Sequence, residues 1–251
     1  MKRSMKAFVL TVALAGMAAC TTPSSTVVDQ QRAVDTYVQL GLSYFGSGRR
    51  EQARFNLLRA LELDRNSPGA LHGMALLYQS EGELELAEQN FRRTLSQDRS
   101  FTQARMNYAR FLYLEGRFSD ARNEYQRATQ DTNYRLRSDA FVGLALSEMR
   151  LGNDEAAQAA ITRALNHNPN QPSALLEAAD FAWNDNNIAT ARNYLDRYEA
   201  VAQQTARSLW LGVRLAWANN DPNRAASYGL ALLEIYPDSR EAAQYRLSSD
   251  R

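Results

Sequence analysis

The stretch Tyr37-Val38-Gln39-Leu40-Gly41-Leu42-Ser43-Tyr44, followed by Ala53, Leu57 and Ala60, decides the fold of this 251-residue chain. Its spacing recurs. Ala53 is answered by Ala87, Ala121, Ala157, Ala191 and Ala225, at separations of 34, 34, 36, 34 and 34 residues. A small residue at a fixed period marks where two helices cross closely; a larger side chain would push them apart, and glycine would weaken the helix. The fifteenth residue of each unit is Gly48, Gly82, Gly116, Gly152, Asn186 or Asn220, the two residue types that most easily end a helix in the left-handed conformation. Four residues past each alanine come Leu57, Phe91, Tyr125, Ile161 and Leu195, with Gly229 as the exception. Seven past it come Ala60, Thr94, Ala128, Ala164, Tyr198 and Leu232. A period near 34 is that of stacked helix–turn–helix units.

The order Tyr37, Leu40-Gly41, Tyr44, Ala53, Leu57, Ala60 resembles the tetratricopeptide-repeat consensus. The expected fold is therefore all-α: a right-handed superhelix of about six repeats. They phase as 34–67, 68–101, 102–135, 138–171, 172–205 and 206–239, with two extra residues in a connection near Asn133–Arg137. Pro68, Pro169, Pro172 and Pro237 fall between units, where helices start or stop. The tail Ser239–Arg251 carries Ala242, Ala243, Tyr245 and Leu247, so a capping helix is expected over 240–251.

The front of the chain is of another kind. Lys2, Arg3 and Lys6 precede a short apolar run, Ala7 to Ala19, which suits a secretory signal and is too short to span a membrane. It ends Leu14-Ala15-Gly16-Met17-Ala18-Ala19-Cys20, which resembles a bacterial lipobox, although Met17 stands where leucine is usual. The other reading is an ordinary signal peptide with an incidental cysteine. The lipobox reading makes 1–19 a signal peptide and Cys20 the acylated (palmitate-bearing) N-terminus. Thr21, rather than an aspartate, then resembles the outer-membrane class of lipoproteins. Residues 20–33 read as a lipidated N-terminus and tether. Its stretch Thr21–Gln31 would reach roughly 36–40 Å fully extended.

Composition narrows the function. The formal net charge is +1, and falls to −2 once Lys2, Arg3 and Lys6 are removed. That balance gives no support to nucleic acid as a partner. Every basic residue after Lys6 is arginine, so the mature chain has no lysine for a Schiff base or a P-loop. The two histidines, His72 and His167, lie on different repeats, and no pair has metal-ligand spacing on one helix. The single cysteine, Cys20, forbids a disulfide within the chain. Gly46-Ser47-Gly48 is the turn of the first repeat, not a phosphate loop. No catalytic residues, cofactor, metal or small-molecule substrate are expected; the chain reads as a binding protein.

In such a solenoid the first helix of each repeat lines the inner groove. Positions five, nine and twelve give Val38, Leu42 and Phe45; His72, Leu76 and Gln79; Met106, Arg110 and Tyr113; Val142, Leu146 and Met149; Leu176, Asp180 and Trp183; Trp210, Arg214 and Trp217. This is an apolar set for a surface facing water. Either some of these side chains pack between helices, or a terminal segment covers them, or they take an apolar peptide or amphipathic helix. The first choice of partner site is Val38, Leu42, Phe45, Leu76, Met106 and Tyr113. Trp183, Trp210 and Trp217 are the second, where the C-terminal tail competes for the surface.

Together with the lipobox and six repeats, the opening Gln31-Arg32-Ala33-Val34-Asp35-Thr36 and the stretches Arg54-Phe55-Asn56-Leu57-Leu58-Arg59 and Asn107-Tyr108-Ala109-Arg110-Phe111-Leu112 resemble the type IV pilus biogenesis and stability lipoproteins, the pilotins of the pilus secretin. The resemblance implies an outer-membrane lipoprotein on the periplasmic face of a Gram-negative cell. It would bind secretin subunits and promote their localisation and multimerisation, with twitching motility depending on it. An alternative is a repeat lipoprotein serving outer-membrane barrel assembly or peptidoglycan synthesis.

Overall fold

The computed structural model describes residues 25–249. The signal segment and Cys20 lie outside them. Among the described residues there are thirteen α-helices and no strand. The chain divides after Arg65 into two compact units.

The first unit holds α1 (Ser25–Gly46) and α2 (Arg50–Leu63), packed against each other as a hairpin. Gly48 makes the turn with a φ of +75°, a conformation L side chains rarely adopt. Leu57 and Ala53 of α2 are fully buried, and Gly41 of α1 lets them in: a Cβ at Gly41 would lie 2.7 Å from Leu57 Cγ. The helix begins nine residues before the expected start of the first repeat. Ser25–Gln31, expected as tether, is helix instead. Two contacts reward the extra turns: Val34 is buried, and Gln30 Nε2 donates to the carbonyl of Leu63 at the end of α2 (2.7 Å), a group that the helix end leaves unpaired.

The second unit stacks five further hairpins: α3 (Pro68–Glu81) with α4 (Leu84–Gln97), α5 (Thr102–Leu114) with α6 (Phe118–Ala128), α7 (Arg137–Arg150) with α8 (Asp154–His167), α9 (Pro172–Asn184) with α10 (Ile188–Val201), and α11 (Ala206–Ala218) with α12 (Pro222–Ile235). The first helices of these hairpins start at Pro68, Thr102, Arg137, Pro172 and Ala206. All six crossing alanines, Ala53 included, are at most 2% exposed. Gly82, Gly116 and Gly152 turn with φ near +75 to +80°, and Asn186 and Asn220 with 57° and 53°. Residues Thr129 to Leu136 connect α6 to α7, and α6 stops early. Asp131 ties that connection down: its carboxylate accepts from Thr102 Oγ1 (2.6 Å) and the Asn133 amide (3.0 Å).

The tail forms α13 (Arg240–Ser249), packed on α11 and α12. It explains the glycine that broke the pattern. A Cβ at Gly229 would lie 2.0 Å from Tyr245 Cζ, so the capping helix supplies the large side chain that the other repeats supply themselves. Burying one such side chain is worth about 1.5–3 kcal/mol. No described helix is long and apolar enough to cross a membrane.

Candidate functional site

On α1 the helical period of 3.6 residues sets Val38, Leu42 and Phe45 on one stripe. All three are half-buried, so part of each apolar surface meets solvent. Leu40 on another face is 42% exposed, as are Phe55 and Leu58 of α2 at 63% and 44%.

In the second unit the three positions part company. Position five sinks between neighbouring helices: His72, Val142 and Leu176 are buried, and Met106 is half-buried against the cluster around Phe91 and Phe111. Leu76 and Tyr113 lean on that same cluster from positions nine and twelve. Leu76, Met106 and Tyr113 are thus brought together, as packing partners more than as an open groove. Tyr113 meets Phe118 edge-on (5.2 Å), and Arg150 lies over the Phe118 ring (4.1 Å). Arg110 is exposed and Leu146 and Met149 are half-buried.

The last two repeats are different again. Arg207 grips both oxygens of the buried Glu177 (2.6 and 2.7 Å) and reaches Asp180 (2.6 Å). The Glu177 hydrogen bonds push the Arg207 pKa up, fixing the guanidinium as a cation. Asp180 also takes Arg214 Nη2 (3.2 Å), and the Arg214 guanidinium stands 5.0 Å from the Trp183 ring centre and 5.9 Å from that of Trp210. Trp210 meets Trp217 edge-on at 5.7 Å, and Trp217 stacks on Tyr245 of α13 at 6.1 Å. The three tryptophans are therefore a packed array, with Trp217 still 38% exposed. The capping helix takes part of the surface that the second-choice site needs. Glu177 and Arg207 were absent from the sequence reading because they sit at positions six and two of their repeats, outside the groove register. Their signal was a carboxylate and a guanidinium placed to face each other across one repeat boundary.

His72 is buried in the core, and His167 is exposed at the end of α8. Asn107 Nδ2 lies 2.8 Å from His72 Nε2, so Nε2 accepts and Nδ1 carries the proton. Burial lowers the His72 pKa to about 4, which keeps the ring neutral. His167 stacks on Phe141 at 5.3 Å. No group of three metal-ligating side chains occurs among the described residues.

The tetratricopeptide-repeat pattern matches residues 34–67, 79–133 and 142–205. Over 249 residues, 97% of this chain and 98% of the relative, the sequence is 37% identical to the type IV pilus assembly protein PilF of Pseudomonas aeruginosa. The chain belongs to the PilF family of tetratricopeptide-repeat proteins. The solved structure of that P. aeruginosa protein superposes with a TM-score of 0.84, covering 88% of this chain and 99% of that one, at 37% identity. The structure of PilW, described as a widely conserved type IV pilus biogenesis factor, gives a TM-score of 0.71 at 24% identity over 84% of this chain and 97% of that one, a likeness of fold. An uncharacterised Haemophilus influenzae protein shares 26% identity over 128 residues, 51% of this chain and 72% of its own length. A PilF-family chain with this fold is a protein-interaction scaffold.

Proposed function

We propose that this chain is a type IV pilus biogenesis factor that acts as an outer-membrane lipoprotein pilotin. It binds subunits of the pilus secretin and promotes their localisation and multimerisation. The observation that carries the reading is the end-to-end 37% identity to the P. aeruginosa pilus assembly protein, with matching fold. In this reading acylated Cys20 is the anchor, at about 0.8 kcal/mol per buried methylene, so two or more chains hold the protein on a bilayer. Only five positions separate Cys20 from Ser25, the start of α1, a reach of at most about 18 Å. The helical start thus brings α1 closer to the bilayer than an eleven-residue tether would.

The docking stripe is Val38, Leu42 and Phe45 on α1. It is apolar, half-open to solvent and carries no ion pair of its own. No bond is made or broken. Holding subunits at one membrane raises their effective concentration and favours ring closure. The test is Cys20→Ser expressed in place of the natural chain. Secretin rings should be lost from, or misplaced outside, the outer-membrane fraction while the chain stays folded by circular dichroism. Normal rings in the outer membrane of that strain would defeat the proposal, as would solubilised wild-type protein that co-purifies with barrel-assembly or cell-wall machinery and no secretin.

A further inference from the structure

The fourth position of each repeat in the second unit is Leu71, Arg105, Phe141, Leu175 and Leu209. The four apolar residues are fully buried. Arg105 breaks the rule, and so does its partner: Glu124 stands where other repeats have Asn90, Ala160, Tyr194 and Tyr228. Both side chains are only 12% exposed, joined by a 2.6 Å ion pair from Arg105 Nη1 to Glu124 Oε2. Such a pair is a poor route to stability, since replacing a buried ion pair by apolar groups of similar volume is often neutral or stabilising by about 1–4 kcal/mol. The neighbouring repeats have no such pair at these positions.

What the pair does is floor a cleft of about 880 Å³ between α4 and α6. Four guanidiniums line that cleft, Arg92, Arg99, Arg105 and Arg127, against two carboxylates, Glu124 and Asp131. Glu124 is already shared, because its Oε1 takes Arg127 Nη1 at 2.6 Å. Asp131 is spent on Thr102 and the Asn133 amide. Arg105 also donates to the Arg99 carbonyl (2.6 Å), which fixes the loop carrying the Arg99 side chain. That side chain is exposed and makes no ion pair among the described residues. Arg92 pairs with Glu88 just outside the lining (2.8 Å), so Arg99 is the guanidinium left without an ion pair among the described residues, in a lining of four guanidiniums against two carboxylates. Between α8 and α10, Thr162 stands in the place of Arg92 and Tyr194 in that of Glu124, and the cavity of about 200 Å³ there, nearer the hairpin turns, has no arginine in its lining.

We propose that the α4–α6 cleft binds an acidic polypeptide segment. The carboxylates of that segment seat on the forks of Arg99, Arg127 and Arg92, the geometry that guanidinium groups suit best. The buried Arg105–Glu124 pair positions Arg127 and the Arg99 loop. An extended chain fits better than a single headgroup, because a second cavity of about 280 Å³ shares Arg92, Tyr108, Glu124 and Arg127 and carries the cleft on to Arg117 and Asp120. This inference is independent of the pilotin reading, since it shares no residue with the α1 stripe.

The experiment is fluorescence anisotropy of the full-length protein with a labelled peptide of ten glutamates, and the same peptide in glutamine. The glutamate peptide should bind, weaken with added salt, and lose roughly tenfold or more in affinity on Arg99→Glu with Arg127→Glu. Arg105→Leu with Glu124→Tyr, which copies Leu175 and Tyr194 of the α9–α10 repeat, should keep the helical spectrum and the melting temperature while losing the peptide. Equal binding of the glutamine peptide would overturn the proposal, and so would unchanged binding by the Arg99/Arg127 variant. Displacement of the peptide by inorganic phosphate beyond that caused by sodium chloride at the same ionic strength, or Arg99-dependent retention on phosphatidylglycerol vesicles, would overturn it in favour of a small-anion or lipid site.

Discussion

The α1 stripe and the face formed by α9 and α11 are both rich in large apolar side chains, yet they differ in what is left over. On the last two repeats most of the large groups have partners, although Arg214 Nε is buried without a hydrogen bond. Arg214 has Asp180 and two indole rings, and Trp217 has Tyr245. On α1, Val38, Leu42 and Phe45 make no ring or ion contact among the described residues and stay half-open. The lesson is that aromatic content marks where surface must be covered, whereas availability marks where a partner can dock. Tryptophan is a common hot spot at interfaces, but only where a pocket on the partner can take it. Here the chain's own C-terminal helix takes part of that role.

The sharpest way to break the comparison is to charge each face. Under the pilotin proposal, Leu42→Asp with Phe45→Asp is expected to cut secretin capture at least about a hundredfold, about 3 kcal/mol, with helical content kept. Trp217→Ala should change capture less than about twofold, because its contacts are internal to the chain. Quantitative pull-down of solubilised secretin reads both. A larger loss from Trp217→Ala than from the α1 pair would reverse the assignment of the two faces.

Position five offers a second cut. In α1 it is Val38, with nothing to titrate; in α3 it is His72, buried neutral with a pKa lowered to about 4. A depressed folded-state pKa stabilises the fold above the unfolded value near 6.5 and is lost as pH falls through the folded one. Urea denaturation should therefore show stability falling between about pH 6.5 and pH 4, by at most about 3 kcal/mol from this group. Asn107 supplies the polar contact to the ring, and no charged group contributes to the shift. His72→Leu should flatten that portion of the profile. An unchanged profile would mean that the ring is hydrated in solution.

The helical repeat was legible because it depends on local rules that recur. Alanine at the crossing, glycine or asparagine at the turn and proline at a start each act within one hairpin, and six copies reinforce one another. The first two turns of α1 were not legible. Ser25, Thr26, Val27 and Val28 are weak helix formers, and what holds the helix there is Val34 packing and a Gln30 side chain reaching Leu63, contacts that span 33 positions. The groove was only half legible for a similar reason. Helical spacing gives which residues share a face; whether position five sinks between neighbours depends on how closely successive hairpins stack. Gly229 read as a defect in its repeat, and it became intelligible only with Tyr245 in place.

That cap gives the next prediction, of about 1–3 kcal/mol. Gly229→Leu restores the residue type seen at this place in the other repeats and should nonetheless destabilise the last repeat, since it drives out Tyr245. Tyr245→Ala alone should also destabilise. The pair together should cost less than the sum, a coupling that a double-mutant cycle measures directly. Strict additivity would show that the ring does not occupy the space at Gly229.

The smallest effect separates early turns from late ones. Three hairpins of the second unit turn on glycine and two on Asn186 and Asn220. Asparagine tolerates the left-handed region better than other L residues, so replacing it by glycine relieves modest strain but adds chain entropy to the unfolded state. The two effects oppose each other, and Asn220→Gly should shift the unfolding free energy by less than about 0.5 kcal/mol. Asn220→Ala loses the tolerance with none of glycine's freedom and should cost about 1 kcal/mol. If alanine and glycine gave the same melting temperature, the φ of 53° at Asn220 would not be what selects the residue there. The fraying of α12 against its neighbours would then set the stability of the last hairpin.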